Sequence, residues 1–142
     1  MVARRIGTLT LFLLLAIVHT WPLASAPTTL SRNDNADTVL NEWILSWVTH
    51  QATRDPGRLF DANIFHPERR TLAFSEHMFV QSLLAAPVFW LGGSPVLAYN
   101  LVLILGFALT GWTMCLLIET WTGDRCAGIL AGCLAAFNAH TL

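Results

Sequence analysis

The polarity of this chain changes in long blocks rather than residue by residue. Residues 6–26 are apolar apart from Thr8, Thr10, His19, Thr20 and Ser25. A run of that length crosses a hydrocarbon core of roughly 30 Å as a helix. Residues 28–77 are polar, and residues 78–91 are apolar again. Gly92-Gly93-Ser94-Pro95 reads as a tight turn, and two further apolar runs follow at 95–118 and 126–142. The pattern predicts an all-α integral membrane protein with about four transmembrane helices, at 6–26, 76–91, 95–118 and 126–142. The second run is short, and spans only if its helix begins within 75–77 or if the bilayer thins around it. The last run reaches Leu142 with no polar tail, which reads as the N-terminal portion of a larger polytopic domain.

The polar loop has a pattern of its own. Within 37–50, Leu40, Trp43, Ile44, Trp47 and Val48 recur at helical spacing. An amphipathic helix with two Trp on its apolar side suits a membrane–water interface. Asp55-Pro56-Gly57 stops that helix, and 61–70 reads as turn and extended chain, with Pro67 turning His66 away from helical backbone. Ser75 is expected to N-cap the next helix, with Glu76 in its first turn. Further on, Gly128 and Gly132 form a GxxxG pair, a face for close helix packing.

A secretory signal peptide is the competing account of the first run. Arg4 and Arg5 precede it, and Ala24-Ser25-Ala26 has the small residues of a cleavage site. Pro27 directly after that site argues against cleavage, and a secreted domain could not be as apolar as residues 78–142.

Composition sharpens the membrane reading. Only 12% of residues are charged, against about 25% in soluble domains. Twelve of the seventeen charged side chains lie between Arg32 and Glu76. The net charge of -1 offers no basic face for nucleic acid. Cys115, Cys126 and Cys133 lie in or beside apolar runs without a CxxC pair, and read as small buried hydrophobes. Arg4 and Arg5 favour a cytoplasmic N-terminus, whereas the five Arg of the loop, counted alone, would draw 28–77 inside.

The residues that could carry chemistry are few. Asp34 and Asp37 stand just after the first run, where a carboxylate serves as general base toward a hydroxyl or holds a divalent cation. The plainer role is that Asp37 or Asn35 caps the helix. Glu76 and His77 stand where the loop returns to the membrane, a costly depth for ionisable groups. Arg69 and Arg70 suit a lipid phosphate, and equally a solvated pair in the loop. His50 and His66 lack metal-site spacing, and Asp124 with Arg125 reads as a local ion pair.

The order of one span, a long loop opening with Asp, and a short return helix resembles the GT-C superfamily of membrane glycosyltransferases. Asp37-Thr38-Val39-Leu40-Asn41-Glu42-Trp43 is similar to the aspartate-containing start of the first external loop in that superfamily. Oligosaccharyltransferase catalytic subunits have a similar Asp, three residues, Asn arrangement. The segments Leu59-Phe60-Asp61-Ala62-Asn63-Ile64-Phe65-His66-Pro67 and Thr71-Leu72-Ala73-Phe74-Ser75-Glu76-His77 resemble bacterial membrane proteins grouped with these enzymes. The resemblance implies a multi-pass protein of the bacterial inner membrane, with loop 28–77 facing outward. It implies a polyprenyl-phosphate-linked sugar donor and membrane lipid as partners. Asp37, with Asp34, would be the catalytic base or cation ligand, and Asn41, Glu76, His77, Arg69 and Arg70 would bind substrate. The alternative is a non-catalytic transporter or assembly subunit, although Asn100 and Thr110 are too few to mark a substrate path through the third run.

Overall fold

Proline and glycine set most of the boundaries in this chain. The computed structural model describes residues 2–31 and 35–138. Among them are five α-helices and no strand: α1 (Val2–His19), α2 (Ala36–Arg54), α3 (Phe79–Trp90), α4 (Pro95–Thr122) and α5 (Arg125–Ala136). The all-helical expectation holds, but four spans are not shown among the described residues. Among the described residues only α1, with 18 residues, and α4, with 28, are long and apolar enough to cross a membrane. The 12 residues each of α3 and α5 reach roughly 18 Å at 1.5 Å per residue, short of a core of roughly 30 Å.

Each displaced boundary has a local cause. The first helix was expected over 6–26 and ends instead at His19, because Pro22 lacks an N–H and disfavours helical backbone at Trp21. Ser75 does not cap α3. Its N–H closes a 3-10 turn over Thr71–Phe74 by donating to the Leu72 carbonyl, and Met78 then takes left-handed backbone at φ 45°. His77 Nδ1 accepts the Phe79 N–H at 3.2 Å, satisfying one of the free donors at the start of α3. Helix α4 starts on Pro95, where a missing N–H costs nothing, and Gly123 at φ 71° ends it. Asp124 then caps α5, its Oδ1 accepting the Cys126 N–H at 2.7 Å. Asp124 and Arg125 therefore form no ion pair; the carboxylate faces backbone instead.

The chain divides into two compact units, 1–26 with 103–142, and 27–102. In the first, α1, the later turns of α4 and α5 pack around Phe12, Ala16, Ile104, Phe107, Ala108 and Cys115. Phe12 fills a notch that exists because Gly111 and Gly132 lack side chains: a Cβ on Gly132 would collide with the Gly111 carbonyl oxygen and the Phe12 ring. A Cβ on Gly128 would lie 2.7 Å from the Cys115 carbonyl oxygen, so the GxxxG pair is a packing face. Cys115 is buried and Cys133 half-buried, but Cys126 is exposed, contrary to expectation. Most of α1 and α4 is uncovered, with Leu14 and Val18 among the exposed side chains of α1.

In the second unit α2 is covered on two sides. Ile44 and Val48 pack with Ala62 and Leu72 of the loop, while Leu45 packs with Ala85 of α3 and Ala98 of α4. Trp43 and Trp47 stack with ring centroids 5.8 Å apart, and Trp47 Nε1 donates to the Leu59 carbonyl at 3.1 Å. The stripe expected to lie on a membrane interface is thus spent on the protein's own loop. Asn100, fully buried near the start of α4, donates through Nδ2 to the carbonyls of Pro27 and Leu30.

Candidate functional site

The start of α2 answers which residue caps it. Asn35 is the N-cap, its Oδ1 accepting the Thr38 N–H at 2.9 Å. Asp37 lies in the first turn, exposed, with no hydrogen bond or ion pair among the described residues. Asp34 lies outside the described residues. Residues three and four apart on a helix share a face, so Asp37, Leu40, Asn41 and Ile44 form one ridge.

That ridge runs into a cavity. Leu40 and Ile44 line a hollow of about 420 Å³ together with Ile64, Phe65, Glu68, Thr71, Leu72, Phe74 and Ser75. Its wall is largely apolar, and Phe65 and Phe74 are 77% and 88% exposed. The loop is folded around it by short bonds: Arg70 N–H donates to Asp61 Oδ1 at 3.0 Å, and Thr71 Oγ1 donates to the Ala62 carbonyl at 3.2 Å. Phe65 and Arg70 both hold left-handed backbone, uncommon for residues with a Cβ, and flank the bend that shapes the hollow. Arg69 and Arg70 immediately precede Thr71 of the lining, and both guanidinium groups are exposed.

The other expected residues lie apart from this cavity. Glu76 and His77 line a separate, more open hollow of about 330 Å³ with Met78, Phe79, Val80 and Gln81. The His77 ring meets Phe60 edge-on at 5.6 Å. No contact among the described residues joins either of them to Asp37, and no group of three His, Cys, Asp or Glu side chains is placed to hold a metal ion.

Sequence reading missed Glu42. It is only 8% exposed, and Ser31 Oγ donates to its carboxylate. Glu42 belongs to a second stripe of buried residues, Thr38, Glu42, Leu45 and Thr49, at helical intervals. Thr49 Oγ1 in that stripe donates to the Ser82 carbonyl of α3 at 3.1 Å. The signal was present in the spacing, but three of the four residues are polar, so a search for apolar periodicity passes over them. Compared with known proteins, the chain matches no family model, no curated protein and no solved structure.

Proposed function

We propose that the chain is a membrane glycosyltransferase-like protein of the GT-C kind. It takes sugar from a polyprenyl-phosphate-linked donor at the non-cytoplasmic face, with Asp37 as general base. The observation that supports this most is the division of labour at α2: Asn35 caps the helix, leaving the Asp37 carboxylate with no partner among the described residues, on the ridge that leads into the apolar cavity. In this reading the cavity takes the first units of the polyprenyl chain, and Arg69 and Arg70 face the phosphate. The acceptor hydroxyl oxygen bonds to the anomeric carbon and gives its proton to Asp37. The bond between that carbon and the phosphate oxygen breaks, its electron pair leaving with the polyprenyl phosphate.

Asp37→Asn keeps the side chain's shape and removes its charge. Transfer from a polyprenyl-linked sugar, assayed in membranes carrying the protein, should fall by at least about a hundredfold, the lower scale for a general base. The melting temperature should not change. Wild-type transfer by this variant would remove Asp37 from the mechanism. The separation of Glu76 and His77 from the cavity favours a second reading, a non-catalytic transporter or assembly subunit. Under it, no variant at Asp37 alters a transfer activity.

A further inference from the structure

The unit formed by 1–26 and 103–142 has a polar cavity of about 450 Å³ at the end where α1 begins and α4 finishes, lined by Arg4, Arg5, Thr8, Leu116, Glu119 and Thr120. Three guanidinium groups gather here, and among the described residues only one has a carboxylate. Arg4 pairs with Glu119 at 2.8 Å. Arg125, behind the lining, donates from Nη2 to the neutral Thr8 Oγ1 at 3.0 Å, and its Nε is buried without a partner among the described residues. Arg5 is exposed and makes no hydrogen bond or ion pair among the described residues. The one other nearby acid, Asp124, is turned to the start of α5 and occupies it. Arg4, Arg5 and Arg125 against Glu119 and Asp124 leave one positive charge uncompensated.

Apolar surface borders the same cavity. Leu116 is in its wall, and Ile6, Leu117 and Trp121, within about a turn of lining residues, are 59%, 42% and 74% exposed. A ligand that fits both features carries one negative charge on oxygens and hydrocarbon beside it. We propose that this cavity binds the phosphodiester headgroup of an anionic phospholipid. Arg5 meets the phosphate oxygens, Arg125 adds its charge from behind Thr8, and the acyl chains run along Ile6, Leu117 and Trp121. Basic pockets between membrane helices recognise such headgroups through the same chemistry. The inference is independent of the sugar-transfer reading, because no residue of α2 or its loop takes part.

The test is thermal unfolding of the full chain in uncharged detergent micelles at fixed ionic strength. The micelles are doped with phosphatidylglycerol or phosphatidylcholine, or supplied with inorganic phosphate. Phosphatidylglycerol should raise the melting temperature saturably, and phosphatidylcholine and inorganic phosphate should not. Arg5→Gln should melt like wild type in phosphatidylcholine yet bind phosphatidylglycerol about fivefold more weakly, the fold-change equivalent to about 1 kcal/mol per basic residue near an anionic surface. Arg125→Gln should weaken it similarly, and if loss of its Thr8 bond prevents folding, Arg5→Gln alone decides. An equal response of wild type and variants to phosphatidylglycerol would overturn the proposal, and so would an equal response to inorganic phosphate.

Discussion

A helix start leaves several backbone N–H groups without partners, and at α2 the Asn35 side chain takes one of them. Asn35→Ala should therefore lower stability by about 1 kcal/mol, read as a lower melting temperature, while Asp37→Ala should change it far less. A larger loss from Asp37→Ala than from Asn35→Ala would mean that the aspartate does structural work. Ser31 and Glu42 make a second residue-scale test. Ser31→Ala leaves a buried carboxylate without that donor and should cost about 1–3 kcal/mol, measured by denaturant unfolding in detergent. At this scale the sequence was partly legible. It named Asn35 and Asp37 as rivals for one cap, since both suit it, but only backbone geometry separates two candidates two residues apart. Glu42 was passed over because its buried stripe is mostly polar, and only the Ser31 hydrogen bond shows what its carboxylate meets.

Helix α4 was legible at its start, where Pro95 is an unambiguous signal, but it was expected to end at 118 and runs on to Thr122, where Gly123 stops it. Helix α1 was misread at its far end because the apolar run continues past Pro22, and hydropathy weighed more than backbone chemistry. Helix α3 was misread at its near end, where the His77 ring and the Met78 backbone replace the expected Ser75 cap. The glycines of α4 and α5 yield a paired prediction. Gly132→Ala drives a methyl into the Gly111 carbonyl and Phe12 and should cost about 1–3 kcal/mol, as overpacking does. Gly106→Ala, with open space around it, should be neutral or stabilising by about 0.5–1 kcal/mol, since Ala suits a helix interior better. Equal melting temperatures for the two variants would remove the notch from the account of how these helices pack.

For the molecule as a whole, hydropathy gave the helical class and the two helices long and apolar enough to span, but counted α3 and α5 as crossings that their lengths do not support. The sidedness is open to direct measurement. In a protein whose other cysteines are replaced, Asn63→Cys and Leu91→Cys should both react with an impermeant thiol reagent added outside intact spheroplasts. Cys126, exposed and kept as the sole cysteine of a third variant, should react only after the membrane is opened. Labelling of Leu91→Cys only after opening would make α3 a crossing. The contact between Arg4 and Glu119 at 2.8 Å says which outcome to expect, because it fixes a parity. Two side chains that touch stand on the same face of a bilayer. If α1 and α4 each cross once, the chain between them must cross an even number of times. A serpentine of successive crossings at α1, α3 and α4 would leave Arg4 and Glu119 a membrane's width apart. If α1 and α4 are the two crossings, this ion pair forbids a single passage by α3, and both ends of the 27–94 segment would open onto the same compartment.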